Sequence, residues 1–409
     1  MPLIRMFCLF VVVLMPGTGI GAGLQTLEQG TWDVGRAMVG AVTAADSAAT
    51  AFYNPAGMTK LDRPTATGGV MGIIGETRFD PKVPPTDVTS TSRGGNQSGN
   101  TVAPAGPFYV HPLNEEWSVG FSVTAPFVGT LDPRDDWPGR YQLTKLDLVA
   151  YRFSPAAAYR VNDWLSLGAT VGINYTDLDL RVAVPTGGAD GGVRVKDADQ
   201  WVVNFSLGAM IEPFEGTRIG LTYVSEVDND DLSGDFTLAG VGPGFTSSVD
   251  IKFTLPQAGI IGVRQELGDD LVVFATAAWA DFSSFSTLGL DTSGALAGEL
   301  KTHFRDTVGY GVAAEYQLAP DWLVSAGVSY ASSPVRGQNR LVVLPLDRQY
   351  RYGAGVRHML REDLTVGLSY EYLDLGKARL TNSGPGGTVS GDYHKNKVQF
   401  IALTLSKAF

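Results

Sequence analysis

The sequence is almost without cysteine. Cys8 is the only one in 409 residues and lies in an apolar run near the amino terminus, so the rest of the chain can form no disulfide, thiolate metal site or thiol nucleophile. Histidine is nearly as scarce, with His111, His303, His358 and His394 the full set. None stands in a His-x-x-x-His spacing and no Gly-x-Ser-x-Gly elbow occurs, which argues against zinc chemistry, serine hydrolysis and enzymes in general. Positive charge is in deficit: 31 Lys and Arg against 42 Asp and Glu give a net charge of −11, an unfavourable balance for a nucleic-acid partner. Beyond the first residues there is no stretch of eighteen apolar residues, so no helix is expected to span a bilayer. If the chain enters a membrane it must do so as strands.

What is present begins with an export signal. Arg5 precedes the apolar run Met6 to Met15, which leads into Gly17, Gly19, Gly21 and Ala22, the order of charge, apolar core and small residues of a secretory signal peptide over residues 1–21. Fifty glycines, 44% hydrophobic residues and a mean hydropathy of +0.04 suit neither a helical bundle nor a disordered chain.

Long period-2 segments fill most of the remainder. Leu165, Leu167, Ala169, Val171, Ile173 and Tyr175 alternate with Gly, Ser, Thr and Asn, and the pattern returns from Trp201 to Ile211, from Val308 to Tyr316, from Leu364 to Tyr372 and at Ile401, Leu403, Leu405 and Phe409. Alternation held that long, with one oily and one small or polar face, predicts barrel strands with lipid on one side. Six short polar turns punctuate the strands, at Pro112–Glu116, Val161–Asp163, Pro213–Gly216, Leu267–Asp270, Leu318–Asp321 and Leu360–Asp363. The other connections read as long loops, among them Pro81–Ala103, Leu131–Gln142, Pro185–Gln200, Val227–Gly244 and Leu288–Leu300. Six short turns and seven long hairpin tips predict an all-β fold, a 14-stranded antiparallel transmembrane β-barrel, spanning residues 63–409. Trp117, Trp164, Trp322 and Phe409 fall beside the short-turn rim, as an aromatic girdle would.

Residues 22–62 lack this alternation and are rich in alanine, which predicts short helices forming an amino-terminal hatch that plugs the lumen. Asn54 can hold a turn with its amide while Pro55 fixes φ and Ala56 follows closely, so this trio is the candidate hatch or gating element. A second feature is Pro126, with Gly129 just beyond, in the strand beginning at Trp117. Proline donates no ladder hydrogen bond, so it predicts local loss of pairing; the competing reading is that it only starts an outer loop. The carboxylates Glu226, Asp228, Asp230, Asp231 and Asp235 could collect Ca²⁺ but lack the ordered spacing of a calcium loop and read as a solvated run. No metal or other cofactor is expected.

Phe52 to Leu61, carrying Asn54-Pro55-Ala56, resembles the hatch of the FadL/TodX family of outer-membrane transporters for hydrophobic compounds. Ala22-Gly23-Leu24-Gln25, Tyr223 to Val227, Leu255-Pro256, Trp279 to Phe285, Ser333 to Arg340 and Asp347-Arg348 continue the resemblance to Phe409. It implies passive capture of long-chain fatty acids or aromatic hydrocarbons at the outer loops, gating by the hatch, and lateral exit through a wall gap near the third strand, at Pro126 and Gly129. It also implies a Gram-negative outer-membrane location, with lipid and lipopolysaccharide around a monomeric barrel. For an acidic cargo, Arg181, Lys301 and Arg305 are the candidate substrate-binding bases, with Phe245, Leu288 and Leu290 as apolar contacts. A general porin is the rival within barrels; a plugged transporter would conduct little or nothing.

Overall fold

The computed structural model describes residues 28–82, 96–132, 135, 137–186, 188–292, 297–301, 303–336, 339–341, 346–384 and 387–409. The expected signal peptide and the mature start at Ala22 lie outside them. Among the described residues, nineteen strand segments form one closed antiparallel sheet, and five wall strands consist of two segments in line, giving a wall of fourteen. We number them β1 (Thr65–Pro81), β2 (Asn96–Pro112), β3 (Trp117–Leu131), β4 (Lys145–Asn162), β5 (Leu165–Val184), β6 (Gly191–Phe214), β7 (Thr217–Val224 and Val227–Ala239), β8 (Phe245–Leu255 and Ala258–Leu267), β9 (Leu271–Ala280 and Thr287–Asp291), β10 (Ala297–Lys301 and Thr307–Ala319), β11 (Trp322–Ala331), β12 (Gln349–Arg361), β13 (Leu364–Asp374 and Arg379–Gly384) and β14 (Gly387–Ala408). β14 closes the barrel against β1, from Thr65 opposite Ala408 to Pro81 opposite Gly391.

The alternation fixes which face meets lipid. Val203, Phe205 and Leu207 on β6, Val308, Tyr310 and Val312 on β10, and Ile401, Leu403 and Leu405 on β14 are exposed outward, while the residues between them, such as Asn204, Ser206, Ala402 and Thr404, are buried inward. In water such an apolar surface would be untenable; against hydrocarbon it is the solvated face. Trp117, Trp164, Trp322 and Phe409 are all exposed at the short-turn rim, and all six short turns fall between strands as expected.

Several segments read as loops are strands. Val227–Ala239 pairs with β6 on one side and β8 on the other, β6 already begins at Gly191, and Thr287–Asp291 pairs with Ala297–Lys301. The physical reason is that the wall continues past the lipid. Once the outward face meets water instead of lipid it turns polar and the apolar alternation is obscured, while backbone pairing goes on. The acidic run is therefore spread along a paired strand, with Asp228 accepting from Thr254 Oγ1 at 2.8 Å, and no group of three potential metal ligands occurs among the described residues.

The hatch is built from a 3₁₀ turn at Trp32–Arg36, one helical turn at Thr50–Tyr53 and a second 3₁₀ helix at Pro55–Lys60. It lies inside the barrel, since its partners are inward-facing wall groups on many strands: Thr404 Oγ1 donates to Gly30 O (2.8 Å), Ser329 Oγ to Ala37 O (3.0 Å) and Thr222 Oγ1 to Tyr53 O (2.9 Å).

A Leu207→Arg substitution at the middle of the lipid band of β6 is expected to lower bilayer folding stability by about 2–4 kcal/mol. Urea titration of refolding into vesicles measures it.

Candidate functional site: a plugged lumen with an unpaired seam

Among the described residues, the longest lapse in the wall's pairing lies between β2 and β3. These strands share a ladder only from Phe108 opposite Ser122 to Pro112 opposite Ser118. Above that, β2 pairs only with β1, up to Asn96 opposite Arg78, and β3 pairs only with β4, up to Leu131 opposite Leu146. The facing edges, 96–107 of β2 and 123–131 of β3, thus bound a slot. Pro126 lies at its centre: the β3–β4 register jumps from Thr124 opposite Arg152 to Phe127 opposite Ala150, so Ala125 and Pro126 together oppose one residue. That is a β-bulge, and proline, lacking an N–H, is suited to it. Gly129 remains paired with Leu148 of β4. The strand runs on to Leu131 rather than ending near Phe127 in an outer loop.

The hatch reaches into this slot. The Gln29 side-chain amide donates to Ala125 O (3.4 Å) and accepts from Ala125 N–H (3.1 Å), taking the place of the strand neighbour that β3 lacks here. Gly30, with φ of +69°, turns the chain immediately beyond, and a Cβ there would overlap Ala105 of β2.

Asn54 anchors the other half of the hatch. It is wholly buried; its Nδ2 donates to Val42 O (2.8 Å) in the hatch and to Ala209 O (3.1 Å) on β6, while its Oδ1 accepts from Ala56 N–H (3.1 Å) and caps the second 3₁₀ helix. Pro55 occupies the first turn of that helix, where its missing N–H costs nothing. The trio can lie this close to the wall because Gly168 and Gly208 face it; a Cβ on either would overlap the Asn54-Pro55-Ala56 segment.

Ion pairs hold the hatch from the opposite side. Arg36 pairs with Asp33 and with Glu315 of β10 (2.9 Å), and Arg357 of β12 pairs with Asp46 (2.7 Å) and Glu315. Arg351 of β12 pairs with Glu28 at 2.7 Å. Burial alone would raise the Glu28 carboxyl, but the Arg351 guanidinium outweighs it and holds Glu28 below its ordinary range.

Above the hatch the lumen is greasy. One contiguous apolar cluster runs from Val335, Leu341 and Leu346 of the loop after β11, through Phe236, Phe253, Leu255, Phe282, Phe285 and Phe304, to Leu148, Leu178 and hatch residues Tyr53 and Met58. Phe245 packs against it, while the Leu288 and Leu290 side chains lie outside the described residues. The loop before β4 closes over a second cluster, with Trp137 edge-on to Phe79 at 6.0 Å and Arg140 paired with Asp190 at 2.7 Å.

The three candidate bases do not converge. Arg181 is exposed at the outer end of β5, on the same outward ladder as Asp177 and Asp179, 3.7 Å from Asp179. Arg305 is exposed and its Nε donates to Ser333 O at 3.1 Å, and the Lys301 side chain lies outside the described residues. Sequence reasoning passed over Arg152, on β4 opposite Thr124, which is buried and pairs with no carboxylate among the described residues. Its only signal was a charge at an inward position of the run Tyr151-Arg152-Phe153-Ser154.

A family model described as "Outer membrane protein transport protein (OMPP1/FadL/TodX)" matches residues 12–409. The "Long-chain fatty acid transport protein" of Escherichia coli (strain K12) is 24% identical, covering 91% of this chain and 92% of its own. "Outer membrane protein P1" of Haemophilus influenzae (strain ATCC 51907 / DSM 11121 / KW20 / Rd) is 25% identical, covering 88% of each. Among solved structures, a Pseudomonas aeruginosa FadL homologue superposes with a TM-score of 0.85 at 20% identity, covering 95% of this chain and all of that one. The P. putida toluene transporter TodX superposes at 0.69 and 17% identity, covering 96% and 99%.

Asn54→Ala is expected to weaken hatch docking by roughly 1–3 kcal/mol, because carbonyls of Val42 and Ala209 lose a buried donor. Hydrogen exchange should rise over residues 42–60 while the wall stays protected. Since the native Glu28 value is depressed, its contribution is complete above the ordinary glutamate value of about 4.3 and is lost as pH falls through the native value. Exchange around Glu28 should therefore accelerate in acid, and Glu28→Gln should weaken that dependence.

Proposed function

The chain belongs to the OMPP1/FadL/TodX family of outer membrane transport proteins, and from that premise we propose that it carries hydrophobic small molecules, long-chain fatty acids first among them, inward across the outer membrane of a Gram-negative cell. Transport is passive: cargo is captured at the outer loops, moves into the apolar lumen, and leaves sideways through the slot between β2 and β3. The observation that carries this reading is the slot itself, a stretch of wall whose two edges have no common ladder and which a hatch side chain bridges.

The energetics favour a side exit over a central one. A fatty acid crossing a wet channel would return its chain to water at roughly 0.8 kcal/mol per CH₂, and the path below the apolar cluster is filled by hatch backbone and ion pairs. A slot opening to the bilayer core keeps the chain in an apolar medium. In this scheme the hatch is the gate: displacing Gln29 from Ala125 frees the slot, while Asn54, Pro55 and Ala56 keep the rest of the plug in place. Arg181, Lys301 and Arg305 are dispersed contacts at the outer rim that draw acids towards the loops. The barrel acts in this scheme as a monomer surrounded by lipid and lipopolysaccharide. Neutral aromatic hydrocarbons are the second reading, favoured by the superposition on toluene transporters.

Replacing Pro126 and Gly129 by valine, which restores pairing capacity at the slot, is expected to abolish oleate uptake in a deletion strain while the barrel still folds. Unchanged uptake would refute lateral exit. In planar bilayers the wild-type protein should show almost no steady current, whereas a porin would conduct.

A further inference from the structure

Five arginines are buried among the described residues: Arg36, Arg140, Arg152, Arg340 and Arg351. Four meet a carboxylate, Arg36 with Glu315, Arg140 with Asp190, Arg340 with Asp347 and Arg351 with Glu28. Arg152 meets none. Its Nη2 donates to the neutral hydroxyl of Ser206 (2.8 Å), its guanidinium lies 6.0 Å from the Phe52 ring of the hatch, and its Nε has no partner although the residue is only 5% exposed. Gly172 makes room for it; a Cβ there would overlap the guanidinium.

The neighbouring groups are incomplete in the same way. Ser122 Oγ and Thr124 Oγ1 on β3, Ser154 Oγ on β4 and Thr176 Oγ1 on β5 are buried without hydrogen-bond partners. The register sets them side by side with Arg152: Ser122 faces Ser154, Thr124 faces Arg152, and Thr176 faces Ala150, one inward step along β4. Buried polar groups are normally satisfied, and an isolated buried charge is strongly unfavourable unless paired. One cation ringed by several hydroxyl donors is the complement of an anion with several lone pairs, and a carboxylate fits, since it accepts from arginine in bidentate fashion and from hydroxyls besides.

We propose that Arg152, with Ser122, Thr124, Ser154 and Thr176, forms a binding site for the carboxylate head of an amphipathic acid at the inner lip of the β2–β3 slot. The site adjoins Ala125, the residue Gln29 covers, so a head held here has its tail in the cluster of Leu148, Ala150 and Leu178. It rests on the transport reading and names the cargo: an acid satisfies Arg152, whereas a neutral hydrocarbon leaves it unpaired. A site built around a polar group discriminates strongly against an analogue lacking that group.

The test uses the full mature chain in lipid nanodiscs, with oleate and oleyl alcohol as paired probes. The wild-type protein is expected to prefer oleate at least tenfold. Arg152→Met should reduce that ratio to near one, Arg152→Lys should retain part of it, and Gly172→Ala, which keeps the charge but displaces it, should also lower it. An unchanged ratio in Arg152→Met overturns the proposal, as does an equal loss of both ligands in the Lys and Gly172→Ala variants, which would mark a packing role. If Arg152→Met does not fold, the Lys and Gly172→Ala ratios decide. A wild-type protein that binds both probes without preference refutes this site alone, whereas one that binds neither refutes the transport reading.

Discussion

Everything in this molecule follows from the requirement that backbone polar groups at membrane depth be satisfied without water. Fourteen strands meet it by closing on themselves, and the seam between β14 and β1 is as fully laddered as any other. The β2–β3 edges are the longest lapse among the described residues, and within it a side-chain amide from the hatch supplies Ala125 with two partners. The opening and the plug thus meet at Ala125, where the hatch stands in for the missing strand neighbour.

The same constraint orders the interior. A hatch of about thirty residues must dock against the lumen without leaving orphaned groups, and it does so through two kinds of contact. Glycines on the inward face let its backbone lie directly on the wall around Asn54-Pro55-Ala56, while buried ion pairs through Arg36, Arg351 and Arg357 fix the opposite side. Removing one partner of such a buried pair is strongly destabilising, because it leaves an uncompensated charge. The plug is thus held by directional contacts at many strands, and the Gln29–Ala125 pair is the one that lies at the slot.

The barrel was legible in the sequence because lipid writes a period of two onto every strand it touches. Thus Leu207, Val312 and Leu403 identified their strands, and the six short turns gave their number. The signal failed where the lipid ends: Val227–Ala239 is paired on both sides and buries Val227, Leu232 and Phe236 inward, but its outward face carries aspartates instead of apolar residues and so looked like a loop. Asn54-Pro55-Ala56 could be read as a turn-former since its chemistry is local. Arg152 could not be picked out, because what distinguishes it is the absence of a carboxylate on strands brought beside it by folding. Arg181 and Arg305 were visible as charges, but their outward and loop positions depend on register.

The central claim is that cargo leaves through the wall. The most direct measurement is photolabelling in lipid nanodiscs with a fatty acid carrying a diazirine at its methyl end, the adducts being mapped by mass spectrometry. Lateral exit predicts adducts on the facing edges of the slot, around residues 104–107 of β2 and 123–126 of β3. Adducts confined to the periplasmic face of the hatch and the short turns, with none on those edges, would contradict it.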